Sequence, residues 1–216
     1  MTDPRQPVSR EPQQERSRLT RERLLRSTID ALAHDGWSAA TVAAVAMRAG
    51  VSRGAAQHHF PTREALITAV LEQVFDDMTS TASTTLAALP DDETERVAAA
   101  VDRAVAIYTG PQFKAALQVW AAAASDPALR ELILPMEDKF ARAAHQMTVA
   151  ALDPDGRYPD SRRIAQVTLD LARGLGLADT LSDDSKRRAQ VVATWTAMVS
   201  AVLVPPPGSQ SLPPGP

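Results

Sequence analysis

The sequence predicts an all-α fold, and three observations lead to this prediction. Apolar residues make up 44% of the 216-residue chain, and alanine and leucine, which favour helix, are prominent among them. Glycine occurs 9 times and aromatic residues are only 4%, so strand-favouring aromatic residues are sparse. Apolar residues recur at three- and four-residue spacing through most of the chain, with no convincing alternating pattern of a strand.

Composition and charge narrow the classes of function. The chain has no cysteine, which excludes a disulfide scaffold and a thiolate metal site. We expect a cytoplasmic protein, because no apolar run approaches the ~20 residues of a membrane span and no secretory signal is visible. Residues 1–70 contain ten arginines and seven acidic residues, whereas the remainder contains thirteen basic and nineteen acidic residues. This asymmetry predicts that only the first part of the chain meets a polyanion.

The first helix is predicted over residues 18–34, where Leu25, Ile29 and Leu32 lie on one face. Residues 1–17 are polar and proline-rich with no periodic apolar face, so they are predicted to be disordered. Gly36 ends the helix within a short loop. Thr41 is then placed to cap a second helix over residues 42–48.

Residues 41–60, TVAAVAMRAGVSRGAAQHHF, predict a helix-turn-helix. Ala46 allows a close crossing of the two helices, and Gly50 permits the positive φ of a tight turn. Ser52 supplies an oxygen that caps the second helix. In this motif one helix spans the DNA backbone while the other enters the major groove.

Polar residues along the second helix of the motif are the candidates for contact with DNA. Arg53 can donate two hydrogen bonds to guanine, and Gln57, one turn later, can pair with adenine. Gly54 has no side chain, so the backbone of the second helix can approach the groove closely. Solvated surface charge is the alternative reading of the arginines, and packing against the core is the alternative for His59. The predicted DNA-binding residues are Thr41, Arg48, Ser52, Arg53, Gly54, Gln57, His58, His59 and Arg63.

The remaining elements are also predicted to be helical. Thr62 is placed to cap a long fourth helix, and Pro135 is expected to kink the seventh. The predicted ranges are 63–88, 93–109, 112–124, 127–152, 160–180 and 184–203. The predicted organisation is a disordered tail over 1–17, a helix-turn-helix domain over 18–65, a helical domain over 66–204 and a disordered proline-rich tail over 205–216.

The stretch from Arg21 to Val70 resembles the DNA-binding domain of the TetR (tetracycline repressor) regulators. Three pieces carry the resemblance, in this order and spacing: RERLLRSTIDALAHDGW, TVAAVAMRAGVSRGA and HHFPTREAL. The resemblance implies that Thr41 caps its helix and touches phosphate, and that Arg53 and Gln57 occupy recognition-helix positions. It also implies that His59 is the usual histidine before the aromatic residue, and that Arg63 is a basic phosphate contact.

The same resemblance implies that the C-terminal helices form a ligand-binding and dimerisation domain, joined to the DNA-binding domain by the long fourth helix. Large or soft residues in an alanine-rich region can line a pocket. The alternative is that these residues form ordinary hydrophobic core and that His145 and Arg173 point outward. An apolar stripe on the last two helices predicts a two-fold homodimer. The ligand-pocket candidates are Phe75, Met78, Tyr108, Phe113, Trp120, Met136, His145 and Arg173.

The predicted function is that of a transcriptional regulator, a repressor that a small-molecule effector releases from a palindromic double-stranded DNA operator. No cofactor, metal ion, catalytic residue or membrane partner is predicted. Gly174 and Gly176 are expected to allow close helix packing, because no strand precedes them as in a dinucleotide-binding loop. Two alternatives stay open: an architectural or adaptor protein without specific DNA reading, and a small-molecule enzyme built on a helical bundle.

Overall fold

The computed structural model describes residues 10–86 and 89–203, with side chains over 14–80 and 89–203. These residues form nine α-helices and one short 3-10 helix at Trp37–Ala39, and they contain no strand. The α-helices are α1 Arg10–Asp35, α2 Val42–Arg48, α3 Arg53–His59, α4 Arg63–Leu86, α5 Glu93–Ile107, α6 Pro111–Ser125, α7 Pro127–Leu152, α8 Ser161–Ala178 and α9 Ser185–Leu203.

The all-α prediction is confirmed, but α1 begins earlier than its apolar pattern indicates. The helix starts at Arg10, so residues 10–17, predicted to be disordered, are helical. Arg18 forms ion pairs with Glu15 and Glu22, three and four residues away, and such pairs stabilise an exposed helix without any buried face. The remaining residues of the two predicted tails, 1–9 and 205–216, lie outside the described residues.

The N-terminal head consists of α1, the helix-turn-helix and the beginning of α4, which pack against one another. The helices from α5 to α9 form the C-terminal half. Leu24 and Leu25 of α1, Val45 of α2 and Leu66 of α4 are almost completely buried, as is Phe60, which follows α3. The 3-10 helix, which the sequence analysis did not predict, fills the loop between α1 and α2. These side chains form the head's part of the main hydrophobic core.

The C-terminal half is closely packed where α8 crosses the end of α5 and the start of α6. A Cβ atom at Gly176 would lie 1.9 Å from the carbonyl oxygen of Tyr108 and 2.7 Å from the ring of Phe113. A Cβ at Gly174 would meet nothing within 4 Å. The predicted role in close packing is confirmed for Gly176 and is wrong for Gly174. Helix α7 continues through Pro135, which is exposed.

One hydrophobic core joins the two halves. It includes Leu24 and Leu32 of α1, Val119 of α6, Ile133 of α7 and Leu175 of α8. Helix α6 lies along α1, so the head rests on the C-terminal half through α6 as well as through α4. Within the described residues, no helix has both the length and the apolar character needed to cross a membrane.

Candidate nucleic-acid interface

The helix-turn-helix is held by three side-chain caps and one glycine, as predicted. The hydroxyl oxygens of Thr41 and Ser52 each accept a hydrogen bond at 3.2 Å, from the N–H groups of Ala44 and Ala55. Thr62 caps α4 in the same way, at 3.1 Å from the Ala65 N–H. Gly50 has φ +61°, in the left-handed region that favours glycine.

Arg23 of α1 contributes a fourth support that the sequence analysis missed. Its guanidinium donates hydrogen bonds to the carbonyl oxygens of Ala49 and Gly50, at 2.5 Å and 3.2 Å. These bonds tie the turn to α1 across 26 residues of sequence. Because no local pattern relates an arginine in one helix to carbonyl groups so far along the chain, no sequence signal could have identified this contact.

The outward face of α3 is exposed and polar. Arg53, Gly54, Gln57 and His58 are exposed, whereas Ala56 is buried against the head. Neither Arg53 nor Gln57 forms a hydrogen bond or an ion pair within the described part of the chain. Both side chains are therefore available to an external partner, one helical turn apart on the same helix.

His59 lies between this exposed face and the core of the head. Burial lowers its pKa below 6.5, with smaller contributions from the neighbouring His58 and from Arg21. Its ring centroid is 5.7 Å from that of His58 and 6.3 Å from that of Phe60. His59 is accordingly a neutral, half-buried ring near pH 7, which agrees with the packing alternative and still leaves one edge accessible.

Arg63, predicted as a phosphate contact, is bound within the head. Its Nε donates to the carbonyl oxygen of Ala40 at 2.9 Å, and its terminal nitrogen donates to the carbonyl oxygen of Trp37. The guanidinium carbon also lies 3.8 Å from the centre of the Trp37 ring. Burial lowers the pKa of Arg63. Its first role is thus to fasten α4 to the loop before α2.

Arg48 is also engaged, through an ion pair with Asp35 at the end of α1. Both side chains are about half exposed, so solvent screens the pair and its contribution to stability is small. Of the three predicted basic contacts, Arg53 alone has no partner among the described residues.

The ligand-pocket candidates lie in four places, and three of these adjoin one another in the main core, because Phe140 stacks on Phe75 and meets Tyr108 edge to face. Phe75 and Met136 line a cavity of about 550 Å³ between α4 and α7. His145 lies in a separate surface pocket of about 610 Å³, with its Nε2 3.0 Å from the carbonyl oxygen of Arg162. Met78 packs against the main core. The fourth place holds the other four candidates, Tyr108, Phe113, Trp120 and Arg173.

Aromatic rings surround a charged group in this fourth place. The guanidinium carbon of Arg173 is 5.2 Å from the ring centre of Tyr108 and 5.9 Å from that of Trp120. Arg173 also donates a hydrogen bond to the Tyr108 hydroxyl at 3.3 Å. The ring of Phe113 meets those of Tyr108 and Trp120 edge to face, at 5.4 Å and 5.8 Å between centroids.

Buried polar atoms without partners distinguish this cluster from ordinary core. Nε1 of Trp120, Oε2 of Glu137 and Nε of Arg173 are buried and have no hydrogen-bond partner among the described residues. Burial raises the pKa of Glu137, although the positive charge of Arg173 opposes this. Each such atom costs about 1–3 kcal/mol when it is left unpaired. A polar ligand that paired with them would recover this energy, and Glu137 is a candidate that the sequence analysis missed.

Apolar side chains are exposed on α8, α9 and the segment between them. Leu181 is 90% exposed and Met198 is 60% exposed. A groove of about 330 Å³ on this side is lined by Leu171, Trp195 and Met198 among others. An apolar surface of this kind is typical of an interface with another protein chain.

No group of three or more His, Asp or Glu side chains lies close enough to hold a metal ion in the described part of the chain.

Comparison with known proteins agrees with this geometry. The model of a family described as "Bacterial regulatory proteins, tetR family" matches residues 24–70. The chain is 30% identical to the HTH-type transcriptional regulator CymR of Pseudomonas putida over 84% of this chain and 90% of that protein.

Solved structures share the fold. A transcriptional regulator from Rhodococcus sp. Rha1 superimposes with a TM-score of 0.66 at 24% identity, covering 85% of this chain and 95% of that one. A regulator from Saccharomonospora viridis, solved in complex with choline, gives a TM-score of 0.61 at 20% identity, covering 83% and 93% of the two chains.

Proposed function

Because the chain belongs to the tetR family of bacterial regulatory proteins, and is therefore a DNA-binding transcriptional regulator, we propose that it represses its target as a homodimer and leaves its operator when a small organic effector binds. The observation that carries the proposal is the outward face of α3. It presents unpaired polar side chains, while caps, Arg23 and Arg63 hold the motif from behind.

Direct reading of bases is assigned to Arg53 and Gln57, since neither is committed to the fold. The DNA backbone is positioned by the capped helix starts at Thr41 and Ser52, where free N–H groups of the protein can bind phosphate oxygens. The remaining predicted contacts, at Arg48, His58, His59 and Arg63, are placed at the edge of the interface. Removing an edge contact should weaken binding to all sequences alike.

The apolar surface of α8 and α9 is proposed as the dimer interface. A two-fold axis through this surface would place two copies of α3 on one side of the dimer. The two copies would then meet successive major grooves of a palindromic site, about 34–36 Å apart. Met198→Glu should convert the dimer to a monomer in analytical ultracentrifugation and abolish high-affinity operator binding. A Met198→Glu dimer of wild-type stability would exclude this interface.

The effector site is proposed at the cluster of Tyr108, Trp120, Glu137 and Arg173. Its three unpaired polar atoms suit a small organic molecule with both polar and apolar parts. The choline complex of the Saccharomonospora viridis regulator supports a small organic ligand in a protein of this fold. Trp120 belongs to α6, and Gln118 of the same helix lies near Gly36 at the end of α1. A ligand that favoured another position of α6 would therefore act on the head through α1.

The decisive experiment selects bound duplexes from a random DNA library with the full-length protein and then measures affinity for the selected site. Arg53→Ala and Gln57→Ala should each lose about 1–3 kcal/mol of discrimination against the wrong base. Arg130→Ala serves as a control of equal charge change, because Arg130 is an exposed residue of α7, away from the proposed dimer interface. An unselective pool would support the architectural alternative, and unchanged base preference in both variants would remove α3 as the reading helix.

A further inference from the structure

The N-terminal end of α1 extends beyond the head, and landmarks on the helix give its direction. Gly36, directly after α1, lies near Gln118 of α6, in the C-terminal half. Arg21 and Arg23, thirteen to fifteen residues earlier, contact the helix-turn-helix: Arg21 lies 5.6 Å from the ring of Phe60, and Arg23 binds the turn. Helix α1 therefore passes along the helix-turn-helix over a length of about 20 Å, with its C-terminal end toward the C-terminal half.

Residues 10–20 continue α1 past the helix-turn-helix on the side away from the C-terminal half. At about 1.5 Å per residue, they extend roughly 16 Å beyond Arg21. Residues 14–19 are all exposed, and none of them belongs to a hydrophobic core of the described chain. We call residues 10–20 the α1 extension. Core packing does not explain the helical form of residues 14–19, because none of them belongs to the core.

The charge of this segment is suited to a polyanion. Between residues 10 and 20 the sequence has three arginines and two glutamates, with no lysine or aspartate. Arg18 is neutralised by Glu15 and Glu22, which are the two nearest carboxylates along the helix. Arg16 is exposed, and its guanidinium forms no hydrogen bond or ion pair with a described residue. A cation with no partner among the described residues thus lies on a helix that projects from the DNA-binding head.

We propose that the α1 extension binds the duplex beyond the base pairs that α3 reads, with Arg16 contacting a backbone phosphate. The inference rests on the proposed function, because the extension meets this duplex only if α3 is docked in its groove. Two features support duplex DNA as the occupant: the extension is continuous with the reading head, and its unpaired charge is positive. A reach of about 16 Å corresponds to roughly five base pairs.

The test measures the affinity of the full-length protein for its selected operator, flanked by about ten base pairs on each side, as the salt concentration is varied. Each lost phosphate contact reduces the slope of log affinity against log salt by about 0.9, which at 0.1 M salt corresponds to roughly eightfold in affinity. Because a dimer carries two extensions, Arg16→Ala should reduce the slope by about 1.8 and the affinity by roughly 60-fold. Arg16→Lys keeps the charge, so it should retain most of the wild-type slope and most of the wild-type affinity.

Two controls separate a contact from a general charge effect. Arg130→Ala removes the same charge from an exposed position of α7 and should leave the slope unchanged. On a duplex cut at the outer edge of the two half-sites, wild-type protein and Arg16→Ala should bind alike. Hydroxyl-radical footprinting of the wild-type complex should show backbone protection reaching about five base pairs outside the bases that Arg53 and Gln57 specify.

The outcomes distinguish this inference from the proposed function. If wild-type protein prefers its operator over scrambled DNA but Arg16→Ala keeps the wild-type slope on the flanked duplex, the α1 extension does not bind DNA. The same conclusion follows if the footprint ends with the half-sites. If wild-type protein shows no preference for any duplex, the proposed function itself fails, whatever the result for Arg16.

Discussion

The head and the C-terminal half share one kind of local stabilisation and differ in the contacts that pack their helices closely. In the head, the starts of α2, α3 and α4 are each capped by a side chain three residues away, and a glycine with positive φ makes the turn. Asp92 and Asp126 cap α5 and α7 of the C-terminal half in the same way. In the C-terminal half, close packing depends on residues far apart in sequence, as where Gly176 meets Tyr108. The comparison teaches that local signals mark helix starts in both halves, whereas the close packing of the domain that would bind the effector depends on contacts that no local signal marks.

A substitution at Gly176 should produce the largest effect and would sharpen this comparison. Gly176→Ala places a Cβ within 1.9 Å of a backbone oxygen that cannot move freely, so we expect a loss of about 3 kcal/mol in the free energy of unfolding. Gly174→Ala is the matched control, and it should gain about 0.5–1 kcal/mol from helix propensity. Urea denaturation at one protein concentration measures both. Equal effects of the two substitutions would show that α8 is not closely packed at Gly176.

Arg63 tests whether the head also depends on a long-range contact. Arg63→Ala should lower the free energy of unfolding by about 2 kcal/mol, because it removes two charge-assisted hydrogen bonds to Trp37 and Ala40. Arg63→Lys should restore only part of this, since an ammonium group lacks the planar fork of a guanidinium. Thermal unfolding without DNA gives the answer. Full stability with weakened DNA binding would mean that Arg63 is a phosphate contact alone.

Ser52 tests how much a local signal, the N-cap of α3, contributes to the stability of the head. Ser52→Ala should cost about 1 kcal/mol, the usual effect of removing an N-cap, and Ser52→Thr should cost less because it keeps the hydroxyl oxygen. Hydrogen exchange of the amides in α3 should report the loss before global unfolding does. If Ser52→Ala leaves exchange in α3 unchanged, tertiary contacts alone hold the recognition helix.

The smallest effect is expected from the protonation of His59. Because the pKa of His59 is lowered in the folded protein, the unfolded state binds the proton more strongly, and stability falls as the pH drops through and below about 6.5. His59→Gln should lose less stability than wild type between pH 7.5 and pH 5.5. Chemical denaturation at the two pH values compares them. An identical loss would assign the acid sensitivity to other groups.

The elements of the fold could be predicted closely from the sequence because most helix starts carry their own signal. Thr41, Ser52 and Thr62 each mark a boundary that the structure confirms. The start of α1 was placed too late, since the prediction relied on an apolar face and residues 10–17 form a helix without one. The spacing of Arg18 from two glutamates is visible in the sequence, but this spacing alone does not distinguish a helix from a solvated chain.

The candidate site could be predicted only in part, for a physical reason. Sequence shows where arginines occur but not which carbonyl groups they meet in space. Arg53 and Arg63 therefore seemed equivalent, although Arg63 is bonded to two backbone carbonyl groups of the head. The same limit explains why Glu137 was missed: its proximity to Arg173 arises from the packing of α7 against α8.

The hydrophobic core shared by the head and the C-terminal half has a genetic consequence. Since Leu24 and Leu32 belong to the same apolar cluster as Val119, Ile133 and Leu175, neither half can loosen without disturbing the other. A screen for constitutive expression of the regulated genes should accordingly recover many lesions in this cluster, remote from both DNA and effector. Temperature-sensitive alleles should be common among them, and restoring volume at a neighbouring position should suppress them.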